Sequence, residues 1–172
     1  RDRINGRSAD TIQKVVEELN SRSIAATGLV ADVTQQDEIS AQIDRYEAHT
    51  GPIDILVNNA GMQHRAPLES FEADVFEQMI AVNLKAAFYT AKALSAFMIA
   101  RQHGRIINIA SVMSLFARPG IAPYTATKGA IANLTKGMAA DWAGYGLNCN
   151  AIAPGYFKTE LNAELVADKK FT

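Results

Sequence analysis

Apolar residues recur along the chain with two different spacings. Segments with apolar residues three and four apart predict amphipathic helices, and short runs rich in β-branched residues predict strands. Four helices are predicted, over Thr11–Leu19, Gln35–His49, Asp74–Arg101 and Tyr124–Trp142. Four strands are predicted, over Ile24–Val33, Ile53–Val57, Gly104–Ala110 and Leu147–Ala153. Because helices and strands alternate, we expect an α/β fold with a doubly wound parallel sheet and helices on both faces.

Two features of this pattern refine the expected fold. The Ile53–Val57 run is almost continuously apolar, which is typical of a strand covered on both faces. Before the first predicted helix there is at most a stub of a strand, around Ile4. Four strands are few for a doubly wound sheet. We therefore expect residues 1–172 to form one partial domain of a longer protein, lacking its first strand and helix and its last strand.

Composition narrows the class of protein. The chain has 172 residues, of which 48% are hydrophobic, enough to build a core. Its 17 basic and 18 acidic side chains give a net charge of −1, so nothing favours nucleic acid or an anionic membrane as a partner. The single cysteine, Cys149, excludes an internal disulfide and a cysteine-based metal cluster. No run is apolar for the roughly 18 residues that span a bilayer. We expect a cytoplasmic protein.

Candidate chemistry lies where the predicted strands end, since ligands bind beyond the carboxyl ends of strands in an open parallel sheet. Small residues there allow a ligand to approach the backbone. The alternative is that these are ordinary strand-ending turns. Four segments qualify: Asp32-Val33, Asn58-Asn59-Ala60-Gly61, Ala110-Ser111 and Pro154-Gly155.

Tyr124 and Lys128 are four residues apart at the start of a predicted helix and therefore share a face. An ammonium group beside a phenol lowers the phenol pKa from about 10, which suits proton exchange with a hydroxyl or carbonyl oxygen. Ser111 ends the preceding strand at the same edge of the sheet and could hold that oxygen, with Ser114 as the competing hydroxyl. No nucleophile elbow surrounds Ser111. The alternative for Tyr124 and Lys128 is a surface pair.

Asn83 falls among the apolar residues of the long predicted helix, and a buried amide must find hydrogen-bond partners. One interpretation is a satisfied polar group in the core. The other is a residue that holds a water or a lysine in a polar site.

Taken together, these residues resemble the short-chain dehydrogenase/reductase family. The likeness covers nearly the whole chain and implies a Rossmann-type dinucleotide-binding fold, a nicotinamide cofactor, and reversible hydride transfer between a secondary alcohol and a ketone. No metal is implied. The family's glycine-rich pyrophosphate turn is absent from these residues. The matching residues are Asn58-Asn59-Ala60-Gly61, Asn83, Ser111, Tyr124, Lys128, Pro154-Gly155 and Thr159.

The resemblance also implies a role for each matching residue. Tyr124 would be the general acid/base, Lys128 would lower its pKa and bind the nicotinamide ribose, and Ser111 would hold the substrate oxygen. Asn83 would fix a water in the proton relay. Cofactor contacts would come from Asp32 and Val33 at the adenine, Asn59, Ala60 and Gly61 along the cofactor, and Pro154, Gly155 and Thr159 near the nicotinamide.

The start of the chain bears on the choice of cofactor. The family separates NAD from NADP at the end of its second strand, where an acidic residue binds the ribose hydroxyls and repels a 2′-phosphate. Here Gly6 takes the acidic position, and Arg7 and Ser8 follow it. A guanidinium group binds phosphate well, so we expect NADP(H) to be favoured over NAD(H), with Arg7 as a cofactor ligand. The alternative is that Arg7 is a solvated loop charge.

The loop after Gly61 bears on the substrate. Gln63, His64 and Arg65 are all polar, and Arg65 could bind a carboxylate. Within the family this loop and the 150–160 segment resemble the gluconate 5-dehydrogenase subfamily, which implies a sugar acid such as gluconate or 5-ketogluconate as substrate. The alternatives are a β-ketoacyl carrier-protein reductase, which shares the core motifs, and a non-catalytic scaffold.

The third and fourth predicted helices carry apolar residues on more than one face. A helix on a sheet hides only one face there, so a partner is expected on the other, and the family resemblance implies a homotetramer. The alternative is that all these residues belong to the core. The residues are Phe88, Phe97, Met98, Ile131, Leu134, Met138 and Trp142.

Overall fold

The computed structural model describes residues 2–155. Its five strands are β1 (Asp2–Gly6), β2 (Ala26–Val30), β3 (Ile55–Asn58), β4 (Gly104–Ile109) and β5 (Leu147–Ile152). Its five α-helices are α1 (Ala9–Ser21), α2 (Gln36–His49), α3 (Ala73–Ile80), α4 (Ala86–Ala100) and α5 (Ala122–Trp142). Three short 3₁₀ turns cover Leu68–Ser70, Val112–Ser114 and Ala143–Tyr145.

The strands pair in parallel, as the alternation of elements predicts. β1 pairs with β2, with Ile4 opposite Gly28. β4 lies between β3 and β5, with Ile106 opposite Leu56 on one side and Cys149 on the other. Helices connect the parallel strands, which gives the mixed α/β architecture of a Rossmann-type fold. Consequently the carboxyl ends of β3, β4 and β5 lie at one edge of their sheet.

The structure corrects the start of the chain. The expected stub around Ile4 is a full strand, β1, so the described chain begins with a strand and has five strands rather than four. Its sequence, Asp-Arg-Ile-Asn-Gly, lacks an apolar alternation and is stabilised by pairing with β2. The Asn5 amide adds to this pairing by donating to the carbonyl oxygens of Leu29 and Ala31, at 3.1 and 3.2 Å.

The long predicted helix is also corrected. Asp74–Arg101 is not one continuous α-helix, because a π turn over Ala81–Lys85 separates α3 from α4. A π turn inserts an extra residue into the helical spiral and often marks a functional position. Asn83 lies in this turn and is buried.

One hydrophobic core connects the two groups of strands. α2 contributes Ile39 and Ile43, and α4 contributes Leu94 and Met98, all buried. Ile106, on the middle strand β4, is fully buried in the same cluster. The strands whose ends carry the candidate site residues are therefore packed against this core.

The prediction that the Ile53–Val57 strand is covered on both faces is wrong for the described residues. Leu56 packs against the core, whereas Ile55 and Val57 are 60% and 52% exposed. Alternate residues of a strand point to opposite faces, so one face of β3 is covered and the other is open among residues 2–155.

Local sequence fixes the ends of the helices that border the site. The Ser8 hydroxyl caps α1 by accepting from the Thr11 amide at 3.3 Å. Pro123 lies in the first turn of α5, where its fixed φ suits a helix start. After α5, Gly146 ends the 3₁₀ turn with φ 77°, and a β-carbon there would collide with the Gln102 carbonyl.

Candidate active site

Lys128 is the most confined charged group at the strand ends. It is 6% exposed, and its Nζ donates to the Ile109 carbonyl oxygen, the last of β4, at 2.6 Å. The same Nζ lies 5.7 Å from the centre of the Tyr124 ring, one turn earlier on α5. Burial removes water from the ammonium and lowers the pKa of Lys128. The predicted proximity of Tyr124 and Lys128 is therefore present, and the pair consists of a buried lysine and a half-buried tyrosine.

Ser111 lies two residues after the end of β4 and is 8% exposed. Its Oγ accepts from the Met113 amide at 3.2 Å, which caps the 3₁₀ turn Val112–Ser114. The competing hydroxyl, Ser114, donates to the Lys128 carbonyl oxygen at 2.6 Å. Because the Ser114 proton is committed to the backbone of α5, Ser111 is the better candidate to donate to a substrate oxygen.

Asn83 links three elements. Its Oδ1 accepts from the Met62 amide at 2.8 Å, and its Nδ2 donates to the Met62 carbonyl at 2.9 Å and to Thr127 Oγ1 at 3.0 Å. The side chain thus uses both amide hydrogens on protein groups. These contacts fix the loop after β3, and a role of Asn83 in holding a water or a lysine stays a prediction.

The loop after β3 approaches the lysine closely at Gly61. A β-carbon on Gly61 would lie 3.6 Å from Asn83 Oδ1 and 3.9 Å from Lys128 Nζ. Asn59, Ala60 and Gly61 are exposed. This stretch therefore runs past the buried lysine and offers an accessible backbone to a ligand.

The end of β5 joins the same edge. The Pro154 carbonyl oxygen accepts from the Val112 amide at 3.1 Å, next to Ser111. Gly155 is exposed. Thr159, which the family resemblance adds to this segment, lies outside the described residues.

A separate group of predicted cofactor residues lies at the ends of β1 and β2. A cleft of about 590 Å³ is lined by residues 4–8 and by the first two turns of α1. Arg7 is exposed in it. The pKa of Asp32 is lowered mainly by the Thr34 backbone N–H and then by the Thr34 hydroxyl, which lie 2.9 and 2.8 Å from Asp32 Oδ1, with a smaller contribution from the charge of Arg7. Val33 packs partly against the core.

Gly6 lines this cleft, and the packing of α1 also favours a glycine at this position. A β-carbon there would lie 3.3 Å from the Ile12 side chain, closer than ordinary contact. An acidic side chain at this position would require Ile12 to move. The absence of the acidic residue is therefore consistent with how α1 packs on β1.

The proposed substrate loop is exposed at His64 and Arg65, and Gln63 is half-buried. The His64 ring meets Phe71 edge to face, with ring centres 5.4 Å apart. The Ala66 amide donates to the Gly120 carbonyl oxygen at 3.2 Å. This bond ties the substrate loop to the segment that leads into α5 and Tyr124.

Sequence reasoning missed the buried polar residues that support these groups. Thr127 is fully buried between Asn83 and Tyr124. Asn108, also fully buried, accepts from the Asn58 amide at 2.9 Å and donates to Thr135 Oγ1 at 2.9 Å. A signal for Asn108 was available, since it interrupts the isoleucine run of β4, but the partner of a buried amide depends on the fold.

Among residues 2–155, no group of three or more His, Cys, Asp and Glu side chains is placed to hold a metal ion. In the same part of the chain, no helix is long and apolar enough to cross a membrane.

Comparison with known proteins places the chain in a family. A family model described as short chain dehydrogenase matches residues 3–170. The chain therefore belongs to the short-chain dehydrogenase family.

Particular relatives can also be named. The gluconate 5-dehydrogenase of Gluconobacter oxydans (strain 621H) is 48% identical over 169 residues, and the 5-keto-D-gluconate 5-reductase of Escherichia coli (strain K12) is 42% identical. Each match covers 98% of this chain and 66% of the relative. A crystal structure of a gluconate 5-dehydrogenase from Burkholderia cenocepacia J2315, in complex with NADP and tartrate, superposes with a TM-score of 0.94 at 51% identity. That match covers 98% of this chain and 66% of the solved one, so the chain spans 66% of the length of these proteins.

Proposed function

We propose that the protein is an NAD(P)-dependent oxidoreductase that interconverts a secondary alcohol and a ketone, with a sugar acid such as gluconate or 5-ketogluconate as substrate. The observation that carries the proposal is the position of the buried Lys128 ammonium. Its Nζ is hydrogen-bonded to the Ile109 carbonyl oxygen and lies 5.7 Å from the centre of the Tyr124 ring. A fixed cation beside a phenol stabilises the phenolate and prepares Tyr124 for proton transfer.

Each residue of this edge has a part in the proposal. Tyr124 Oη gives a proton to the carbonyl oxygen during reduction and takes it back during oxidation. Lys128 lowers the pKa of that phenol, and Ser111 Oγ donates to the same substrate oxygen. Asn83 holds the Met62 backbone and so fixes the loop that carries Gly61.

The residues present fit a nicotinamide cofactor. The exposed backbone of Asn59–Gly61 passes the buried lysine without a side chain in the way at Gly61, and the cleft at β1 carries a guanidinium at its rim. When bound, the cofactor supplies or accepts the hydride. Lys128 and Tyr124 would contact its ribose. The remaining proposed ligands are Arg7, Asp32, Val33, Asn59, Ala60, Gly61, Pro154, Gly155 and Thr159.

NADP(H) is the favoured cofactor in this proposal. Arg7 lies beside the cleft where the chain has Gly6 in place of an acidic residue, and a guanidinium binds a phosphate with charge-assisted hydrogen bonds. The NADP-bound relative from Burkholderia cenocepacia supports nicotinamide use in this group. Asp32 lies near enough to Arg7 for the two charges to interact, so its carboxylate reduces the positive potential at the edge of the cleft.

The relatives that carry names of gluconate enzymes support the proposed substrate class. Arg65 is the proposed carboxylate ligand. It is exposed on the loop that a hydrogen bond ties to Gly120, near the start of α5. A substrate that entered beside Ser111 and Tyr124 would meet this loop at the same edge of the sheet.

The substrate is tested by assaying the full-length protein with gluconate, 5-ketogluconate, sorbitol and an acetoacetyl thioester, each with NADP(H) and NAD(H). We expect turnover of gluconate and 5-ketogluconate to exceed that of sorbitol and the thioester. Arg65→Ala should raise the KM for the sugar acid about tenfold or more, the scale of one charge-assisted hydrogen bond. Arg22→Ala, which removes an exposed arginine distant in sequence from the strand-end loops, is the matched control.

Two results would contradict this substrate. Faster turnover of the thioester would assign the protein to carrier-protein reduction instead. An Arg65→Ala variant with an unchanged KM for the preferred sugar acid would remove Arg65 from the site.

The apolar surface of α4 bears on the oligomeric state. The predicted apolar surface is smaller than the sequence indicates, because Met98, Ile131 and Met138 are buried in the core and Phe97, Leu134 and Trp142 pack partly against it. Phe88 remains, 42% exposed on α4. We propose a homotetramer with this face of α4 in an interface. A cytoplasmic location remains a prediction and agrees with the need for an intracellular nicotinamide cofactor.

A further inference from the structure

Thr127 lies between Tyr124 and Lys128, directly before the lysine, and is 0% exposed. Its hydroxyl makes two hydrogen bonds in opposite senses. Oγ1 donates to the Tyr124 carbonyl oxygen at 2.8 Å and accepts from Asn83 Nδ2 at 3.0 Å. A threonine in a helix commonly bonds the preceding turn of its own helix, but here the same oxygen also receives a side chain from another element.

The second bond continues beyond α5. Asn83 Nδ2 has two hydrogens, of which one reaches Thr127 and the other the Met62 carbonyl, while Oδ1 accepts from the Met62 amide. The π turn Ala81–Lys85 brings Asn83 to this position. The loop after β3, the π turn and the first turn of α5 are therefore connected through one hydroxyl.

This chain of bonds reaches the loop that passes beside the buried lysine. Gly61, one residue before Met62, passes so close that a β-carbon would lie 3.6 Å from Asn83 Oδ1 and 3.9 Å from Lys128 Nζ. Lys128 follows Thr127 directly on the helix. A shift of the Thr127 side chain would therefore be passed to the first turn of α5 on one side and to the loop beside Lys128 on the other.

We propose that Thr127 is a positioning residue for the Tyr124–Lys128 pair. Its hydroxyl fixes the first turn of α5 relative to the Asn83 amide and so sets where the Tyr124 phenol meets the substrate oxygen. This inference rests on the proposed oxidoreductase function, because it assigns Thr127 to the alignment of that same reaction.

The chain contains a matched control on the same helix. Thr135 lies two turns further along α5 and is 4% exposed. Its Oγ1 donates to the Ile131 carbonyl oxygen at 2.7 Å and accepts from Asn108 Nδ2 at 2.9 Å. Valine has nearly the shape of threonine, so Thr127→Val and Thr135→Val each remove one hydroxyl and each leave one buried asparagine N–H unpaired.

The test measures kcat, KM and thermal midpoint for the full-length wild type, Thr127→Val, Thr127→Ser and Thr135→Val, with the preferred sugar acid and cofactor. Both valine variants should lower the midpoint. Thr127→Val alone should lower kcat, by about 10- to 100-fold, the scale of a misplacement of about 1 Å of a reacting group, with little change in the cofactor KM. Thr127→Ser keeps the hydroxyl and should recover kcat to within about threefold of wild type.

Equal kcat in Thr127→Val and Thr135→Val would overturn the inference, as would a Thr127→Ser variant as slow as Thr127→Val. If Thr127→Val does not fold, Thr127→Ala takes its place, and failure of both to fold would show that the hydroxyl serves the fold alone and would also overturn it. Tyr124→Phe is assayed alongside. If Tyr124→Phe abolishes turnover and both valine variants keep it, only the role of Thr127 is rejected. If turnover survives in Tyr124→Phe, the proposed function is rejected and this inference with it.

Discussion

At the scale of single residues, Lys128 combines burial with a fixed hydrogen bond. Burial lowers the pKa of its ammonium, because the charged form loses water. The Ile109 carbonyl at 2.6 Å replaces part of that hydration and holds the charge in place. A lysine placed in this way costs stability that a leucine or methionine would not, which is typical of a residue kept for chemistry.

Arg7 gives a prediction at the same scale. Arg7→Ala should weaken NADPH binding about 10- to 100-fold, the scale of one or two charge-assisted hydrogen bonds, and leave NADH binding within about twofold. The measurement is a fluorescence titration of the full-length protein with each cofactor. Lys14→Ala, which removes a cation of α1 that does not line the cleft, is the control. Equal loss for both cofactors, or tighter NADH than NADPH in the wild type, would contradict NADP(H) preference.

The sequence predicts the proximity of two residues where that proximity depends on local spacing. Tyr124 and Lys128 are one helical turn apart, so their proximity follows from the helix alone. The partners of Asn83 could not be predicted in this way. They depend on how the π turn and the loop at Met62 meet α5, which is a property of the packed fold.

At the scale of secondary-structure elements, the order of helices and strands follows from apolar spacing, but two boundaries do not. The apolar period runs through residues 74–101 without a break, so it gives no sign of the π turn. β1 has no apolar alternation and is a strand because β2 pairs with it. Strand pairing and helix irregularities are set by neighbours that a one-dimensional pattern does not contain.

A partly buried ion pair connects the elements behind the site. The Arg101 guanidinium, at the end of α4, donates to both carboxylate oxygens of Glu47 on α2, at 3.0 and 3.2 Å. Glu47 also accepts from the Ile53 amide at 2.8 Å, just before β3. The side chains of Glu47 and Arg101 are 7% and 23% exposed, so this partly buried pair connects α2, α4 and the approach to β3.

Glu47→Ala should therefore lower the free energy of unfolding by about 2–4 kcal/mol, since it leaves a partly buried guanidinium and a backbone N–H without their acceptor. The measurement is urea denaturation of the full-length protein. Glu18→Ala is the control, because Glu18 pairs with Arg22 at 3.6 Å on the surface, with side chains 69% and 65% exposed, and such pairs contribute less than about 1 kcal/mol. Equal losses of unfolding free energy in the two variants would contradict a stabilising role of the Glu47 contacts.

At the scale of the whole molecule, the surface of α4 bears on assembly. Phe88 and Lys92 are exposed one turn apart, with the Lys92 Nζ 5.9 Å from the Phe88 ring, and the small residues Ala96 and Ala100 continue the stripe. The two alanines allow a second helix to approach closely, with Phe88 and the stem of Lys92 packing beside them. The sequence predicted more apolar surface here than exists, because it could not tell which apolar side chains enter the core.

The oligomer prediction is tested by light scattering at micromolar concentration. We expect the full-length wild type to have the mass of four chains and Phe88→Asp to have a smaller mass, because the substitution places a carboxylate in an apolar interface. Leu68→Asp, an equally polar change at an exposed leucine outside α4 and α5, is the control. A monomeric wild type would contradict the tetramer, and a tetrameric Phe88→Asp would move the interface away from this face.

The proposed chemistry is tested most directly by the turnover of Tyr124→Phe with its preferred sugar acid across the pH range. The substitution keeps the ring and removes the proton donor, so cofactor binding should stay near the wild-type value. We expect kcat to fall about 10²- to 10⁴-fold, the contribution of general acid/base catalysis. A Tyr124→Phe protein with near wild-type kcat at every pH would contradict the assignment of Tyr124 and Lys128 as the proton-transfer pair.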